Sequence, residues 1–147
     1  MGPVSEFSVE NVPLPSFDLH WYRSVSNAQT DLSVVPVISY ARMTRPYREL
    51  MSELSRRIGP SVRVFASASL SASLKMIAAG IAVGPYPRAL ARDFLKSEQI
   101  VEFDAGFRPQ PLQFTASYLS EPRSFLVENS AEIAQSVALN WDKSQPQ

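Results

Sequence analysis

Apolar residues repeat with two different periods along this chain, and the periods alternate from segment to segment. Between residues 44 and 58 they recur every three to four positions, the period of a helix with one buried face. The flanking segments Leu32–Tyr40 and Val62–Ala66 are short, β-branched runs that are typical of strands. Short strands that alternate with amphipathic helices indicate a sheet with parallel strands.

Turn and cap residues indicate where these elements begin and end. Thr44 and Pro46 indicate the start of the first helix, and Gly59 follows its end. Further helices are expected from Ser69 to Gly80, from Pro87 and over Ser124–Lys143. The predicted strands are Phe17–Ser24, Leu32–Tyr40, Val62–Ala66, Ile81–Gly84, Ile100–Phe103 and Gln113–Leu119. We therefore predict an α/β fold with a Rossmann-like parallel or mixed sheet and flanking helices.

Three of the predicted strand-to-helix turns should meet at one edge of this sheet. Ligands of open α/β sheets bind at the carboxyl ends of the strands. The candidate ligand-binding residues in these turns are Arg42, Thr44, Arg45, Ser67, Ser69 and Tyr86. Hydroxyls, helix N-termini and guanidinium groups together suit a small carboxylate. Taken one by one, the hydroxyls are more simply helix caps and Arg42 a solvated side chain, whereas the whole cluster favours a binding edge.

Composition removes several classes of function. The 147 residues include no cysteine and one histidine, His20, so thiolate chemistry and a multi-histidine metal centre are excluded. No paired nucleophile and base is visible, and we expect no catalytic residue, metal or cofactor. The 14 basic residues balance the 14 acidic ones, which argues against nucleic-acid binding by this chain. Eleven of those basic residues are arginine, which favours planar contacts with carboxylates.

Targeting signals are also missing from the sequence. No apolar run approaches the roughly 20 residues that a membrane-spanning helix needs. The N-terminus lacks the charged and apolar regions of a signal peptide. We therefore expect a cytoplasmic protein without a membrane partner.

Four segments resemble a known family. The segment SASLSASLKMIAAGIAVGPYPRALA, from Ser67 to Ala91, is similar to the second half of the effector-binding domain of LysR-type transcriptional regulators. PLPSFDLHWYRS resembles the family's entry into its second subdomain, and SVVPVISYARMTRPYRELM its strand, loop and helix. QFTASYLSEPRSFLVENSAEIAQSVALNWDK resembles its return strand and last helix. The resemblance covers nearly everything after Val12.

The resemblance implies a fold like the type 2 periplasmic binding proteins, in which a ligand cleft lies between two Rossmann-like subdomains. It also implies that Thr44 occupies an effector-contacting position and that the Ser67–Ser69 turn lines the cleft. Arg42 or Arg45 would pair with an acidic effector. Residues 1–11 are expected to be a tag or disordered lead-in, 12–112 the effector-binding subdomain, 113–143 the return segment and 144–147 a tail.

The family's DNA-binding domain and most of its first subdomain have no counterpart in this sequence. We therefore expect no DNA binding by this fragment alone. The apolar face of the last helix would normally pack on the first subdomain, so we expect it to dock on a second copy, as a dimer or by swapping. The residues expected at this interface are Phe125, Leu126, Ile133, Val137 and Trp141.

The leading functional hypothesis is a small-molecule effector-sensing and oligomerisation module of a LysR-type transcriptional regulator. The alternative is a stand-alone protein that binds organic acids, or a dominant-negative partner that dimerises with full-length regulators. An α/β enzyme ranks last, because the sequence offers no catalytic set.

Overall fold

The computed structural model describes residues 8–143, with side chains through residue 140, and divides the chain into two compact units. The larger unit is Asp18–Pro111, and the smaller combines the chain before Asp18 with the chain after Pro111. In chain order the elements are β1 (Val9–Pro13), β2 (Leu19–Ser24), β3 (Val37–Ser39), α1 (Arg45–Arg57), β4 (Val64–Ala66), α2 (Leu70–Ala78), β5 (Gly84–Pro87), α3 (Arg88–Lys96), β6 (Ile100–Glu102), β7 (Thr115–Leu119) and α4 (Phe125–Lys143).

A mixed sheet organises the larger unit. β3 and β4 are parallel, with Ser39 opposite Ala66, and a parallel bridge joins Val37 to Val83, just before β5. β5 and β6 both pair antiparallel with β2. The strand order is therefore β4-β3-β5-β2-β6, in which β2 alone runs against the other strands of this unit. The predicted α/β class with a mixed sheet and flanking helices is confirmed.

Helices cover both faces of this sheet. On one face, Leu50 and Leu54 of α1 pack in a buried cluster with Trp21 and Val83. Successive strand residues point to opposite faces, so Tyr22 lies on the other side from Trp21. On that side α2 supplies Leu74 and Ile77 to the core, and α3 supplies Ala91; all three are buried.

Side chains at the end of β2 fasten the C-terminal end of α2. Ser24 Oγ donates to the Ala78 carbonyl at 2.8 Å, and Asn27 Nδ2 donates to the Gly80 carbonyl at 3.1 Å. Gly80 has a φ of +73°, a left-handed conformation that favours glycine at a helix end. The bond to Ala78 satisfies a carbonyl group that a helix end leaves unpaired, and the bond to Gly80 holds the turn that follows.

Two predicted strands differ from the structure. Only Val37–Ser39 of the expected Leu32–Tyr40 strand is extended, because the residues before it form a turn in which the Asp31 carbonyl accepts bonds from Val34 N and Val35 N. The strand expected at Ile81–Gly84 lies at Gly84–Pro87 instead. Ile81 N still bonds the Met76 carbonyl at the end of α2, so the strand begins later.

The smaller unit joins two distant parts of the sequence. β1 and β7 pair antiparallel from Val9 opposite Leu119 to Pro13 opposite Thr115. Gln135 of α4 donates to the Pro13 carbonyl at 2.9 Å. The expected lead-in over residues 1–11 therefore contains the start of a strand, while residues 1–7 lie outside the described residues.

α4 carries apolar side chains that this chain leaves uncovered. Ala131 is buried, but Leu126 is 81% exposed and Phe125 is 69% exposed. Ile133 and Val137 are also exposed. The side chain of Trp141, the last predicted interface residue, lies outside the described residues. Within residues 8–143, none of the helices combines the length and the apolar character needed to cross a bilayer.

Candidate functional site

The carboxyl ends of the parallel strands β3 and β4 form one edge of the sheet. Ser67 N donates to the Ser39 carbonyl at 3.1 Å, so the chain leaving β4 stays hydrogen-bonded to the end of β3. The segments Tyr40–Thr44 and Ser67–Ser69 follow these strand ends directly. We call these two segments the β3–β4 edge. It brings together the predicted residues Arg42, Thr44, Ser67 and Ser69, and Arg45 follows as the first residue of α1.

The serine hydroxyls of this edge make local hydrogen bonds. Ser69 precedes α2, and its Oγ accepts from Ala72 N at 3.3 Å, so it caps that helix. Ser67 Oγ accepts from Ser69 N at 3.2 Å and lies 3.1 Å from the Ser69 carbonyl, to which it donates. These bonds order the turn and position the first turn of α2 at the edge.

Thr44 stands at the N-cap of α1 but does not cap it. Its hydroxyl donates to the Ala41 carbonyl at 2.6 Å, and its backbone N–H donates to the same carbonyl at 2.9 Å. No side chain among the described residues therefore caps the first turn of α1. A helix start carries about half a positive charge on its unpaired N–H groups, so this one is suited to an anion.

The two arginines near Thr44 differ in their pairing. Arg45 Nε lies 2.6 Å from Glu49 Oε1, one turn further along α1, and its charge is therefore already matched. Arg42 is exposed and forms neither a hydrogen bond nor an ion pair with any residue that the structure describes. Of these two, Arg42 is the guanidinium available to a ligand.

Tyr86, the remaining predicted site residue, is in a strand and not in a turn of this edge. It belongs to β5 and is fully buried, with its hydroxyl 3.5 Å from the Ile38 carbonyl. Its ring packs against Tyr40 with a centroid separation of 5.4 Å. Burial raises the pKa of Tyr86 to about 12. The residue was expected in a turn because the strand was predicted three positions too early.

Ser39 is a polar residue of this region that sequence reasoning missed. It ends β3 and is fully buried, yet its hydroxyl has no hydrogen-bond partner in the described part of the chain. Unsatisfied buried hydroxyls are uncommon and call for an explanation. A serine among the apolar residues of a predicted strand is the only sequence signal that could have identified it.

His20 has a partner that the sequence did not reveal. Its Nδ1 lies 2.7 Å from Glu102 Oε1, across the pairing of β2 with β6. The pair joins residues 82 positions apart, so no local pattern predicts it. The described residues contain no group of three or more His, Cys, Asp or Glu side chains that could hold a metal ion.

The larger unit has an α/β fold, with a mixed sheet, helices on both faces and polar turns after β3 and β4. Comparison with solved structures identifies the neighbours as regulatory and effector-binding domains of LysR-type transcriptional regulators.

Three neighbours represent the match. The bromide-bound regulatory domain of HypT from Salmonella typhimurium aligns with a TM-score of 0.74 at 15% identity, over 92% of this chain and 67% of that one. The AmpR effector-binding domain from Citrobacter freundii gives 0.64 at 16% identity, over 92% and 70%. Full-length LysG from Corynebacterium glutamicum with bound effector Arg gives 0.62 at 19% identity, over 95% and 49%.

The structural comparison confirms the fold that the resemblance implied. This chain spans about two thirds of the isolated regulatory domains and about half of the full-length regulators. No family model matches the sequence. No curated protein matches it either.

Proposed function

We propose that this chain is the effector-sensing part of a cytoplasmic LysR-type transcriptional regulator, and that its β3–β4 edge binds a small organic anion. In this proposal Asp18–Pro111 is the effector-binding unit. The observation that carries the proposal is the start of α1. There Thr44 bonds Ala41 instead of the helix, next to the unpaired Arg42.

The electrostatics of the edge favour a negative charge. Two helices begin there, α1 after Thr44 and α2 after Ser69, and within the described residues the first turn of neither carries an acidic side chain. Arg42 adds a full positive charge at an exposed position. A carboxylate accepting from the Arg42 guanidinium and from the first N–H groups of α1 would satisfy donors that are otherwise left to water.

The structural neighbours support the sensing role and leave the ligand open. HypT is described with bound bromide and LysG with bound effector arginine, so the neighbours differ in what they bind. The anionic ligand proposed here rests on the charges of this chain's own edge.

We also propose that α4 docks on a second copy of the chain. Phe125, Leu126, Ile133 and Val137 are exposed on this helix. Contiguous apolar surface of this kind marks an interaction face in soluble proteins. The face would be covered in a dimer, or in a swapped arrangement of α4 and β7.

A thermal-shift titration with acetate, succinate and benzoate at constant ionic strength tests the anion site. A ligand at 100 times its dissociation constant should stabilise the chain by about 2.7 kcal/mol. Arg42→Gln should remove most of this shift. Arg56→Gln, at the opposite end of the same helix, is the matched control and should retain it. Equal shifts in the two variants would rule out Arg42 as the anion's partner.

A further inference from the structure

A cavity in the larger unit is lined by residues outside the β3–β4 edge. Its volume is about 320 Å³, and it is formed where β2 begins and β6 ends. In the strand order β5 and β2 lie between β3 and β6, so the cavity and the β3–β4 edge are formed by different strands. None of its lining residues belongs to the β3–β4 edge.

One wall of the cavity is aromatic and held in place. It consists of Trp21, Phe103 and Phe107. The indole Nε1 of Trp21 donates to the Phe107 carbonyl at 2.9 Å, and the two rings meet edge to face at 5.4 Å. The guanidinium of Arg57 lies over the Phe107 ring, 4.7 Å from its centroid. The aromatic wall is therefore fixed before any ligand arrives.

The rest of the lining carries charges of both signs. Glu102 uses one oxygen for the 2.7 Å contact with His20, and its side chain is 38% exposed. Asp104 accepts from Gly106 N through Oδ1 at 2.8 Å. The second oxygens of both carboxylates have no hydrogen-bond partner among residues 8–143. Arg108 is exposed, and it forms neither a hydrogen bond nor an ion pair with any residue that the structure describes.

We propose that this cavity binds a zwitterion, an α-amino acid with an apolar or aromatic side chain. Its ammonium group pairs with Glu102 and Asp104, and its carboxylate pairs with Arg108. Its side chain packs on the aromatic wall. Charge matching selects this class, because a simple anion would approach two carboxylates and a simple cation would approach Arg108, whereas a zwitterion pairs with all three. Cavities of about 300 Å³ and above are of the size that binds small ligands.

The proposal goes beyond the anion site, because it gives the chain a second ligand with separate residues. The test is isothermal titration calorimetry of the full chain carrying Arg42→Gln, which disables the proposed anion site, with L-phenylalanine, 3-phenylpropanoate and 2-phenylethylamine. These probes share the phenyl group, and the last two each lack one of the charges. We expect L-phenylalanine to bind at least about tenfold more tightly than either analogue, since each lost charge-assisted hydrogen bond costs about that factor.

Variants separate this cavity from the β3–β4 edge. Arg108→Gln and Asp104→Asn should each weaken L-phenylalanine binding by about tenfold. The asparagine retains an oxygen for the Gly106 N–H, so the turn is preserved, and circular dichroism with the melting temperature confirms folding. The unmodified chain should bind L-phenylalanine in this cavity with the same affinity as Arg42→Gln.

Three outcomes would overturn the proposal. The first is no detectable heat of binding when L-phenylalanine is titrated to millimolar concentration. The second is equal binding of all three probes. The third is a loss of binding with Arg42→Gln but not with Arg108→Gln, which would instead assign the amino acid to the β3–β4 edge and leave the anion proposal standing.

Discussion

The Thr44 hydroxyl donates to the carbonyl of Ala41 at 2.6 Å, and its oxygen accepts no hydrogen bond from the described backbone of the helix that it precedes. The bond closes the turn between β3 and α1, and no side chain in residues 8–140 caps the first N–H groups of α1. Ser69, in contrast, caps α2, because its Oγ accepts from Ala72 N. The two helix starts of the β3–β4 edge are therefore chemically different, and α1 is the one that remains open to a ligand.

Thr44→Asp should stabilise the chain and abolish its binding of anions. Aspartate is a strong N-cap and interacts favourably with the helix dipole, so we expect the free energy of unfolding to rise by about 0.5–1 kcal/mol. The same carboxylate would occupy the anion site and abolish the stabilisation by organic anions. Urea unfolding measures the first effect, and the thermal-shift titration measures the second. A variant that is stabilised and still responds to anions would contradict the account.

Ser69→Ala should destabilise the chain, because it removes the bond from Ala72 N to the capping oxygen. The expected loss is about 1 kcal/mol in urea unfolding. Ser71→Ala is the matched control, since Ser71 is exposed within α2 and alanine favours helix. If both variants lost equal stability, the assigned cap would be wrong.

Two buried serines should respond differently to alanine. Ser24 Oγ donates to the Ala78 carbonyl, so Ser24→Ala should cost about 1 kcal/mol or more. Ser39 has no partner for its hydroxyl in the described residues, so Ser39→Ala should be close to neutral or stabilising. Equilibrium unfolding of both variants checks the difference. A large loss for Ser39→Ala would mean that its hydroxyl is satisfied in solution.

Stability should fall in strong alkali as buried tyrosines ionise. Burial raises the pKa of Tyr86 to about 12, and it also raises those of Tyr22 and Tyr40. Because the folded pKa of Tyr86 exceeds its unfolded value of 10.0, its contribution is complete below pH 10 and is lost as pH rises toward 12. Urea unfolding between pH 9 and pH 12 should show this decline, and Tyr86→Phe should make it shallower. An unchanged slope would contradict the burial of the hydroxyl.

Self-association should depend on the exposed face of α4. Leu126→Lys with Ile133→Lys should convert a dimer to a monomer, because two charges would be placed in the apolar contact. Light scattering at micromolar concentration measures the mass, and circular dichroism checks that both proteins stay folded. A wild-type chain that is strictly monomeric would remove the basis for this dimer.

Local chemistry was enough to predict the helices, since α1 lies between the predicted N-cap Thr44 and Gly59 and carries its arginines in the last turn. The β3–β4 edge was predicted because ligands of open α/β sheets bind at the carboxyl ends of the parallel strands. β5 was predicted three positions too early, because Ile81 N still bonds the Met76 carbonyl and β5 begins only at Gly84. Gly84 approaches Ile38 so closely that a Cβ would lie 2.5 Å from its carbonyl oxygen. That approach is a long-range packing constraint, and neither periodicity nor turn chemistry encodes it.

The pairing of charged groups also depends on long-range contacts that the sequence pattern does not reveal. The sequence identified Arg42 and Arg45 as equivalent, and only the structure separates the paired Arg45 from the unpaired Arg42. The contact of His20 with Glu102 required β2 to lie beside β6, a pairing across most of the larger unit. Helix capping is a local property, whereas charge pairing between strands depends on the topology.

The central claim is that an anion binds the open start of α1 through Arg42. Titration of the ¹⁵N-labelled chain with benzoate, followed by amide chemical shifts, tests it most directly. The account predicts saturable shifts concentrated at Arg45 and Tyr47 and at the Ser67–Ser69 turn, all strongly reduced in Arg42→Gln and retained in Arg56→Gln. Shifts that are scattered over the surface, or that survive unchanged in Arg42→Gln, would contradict it.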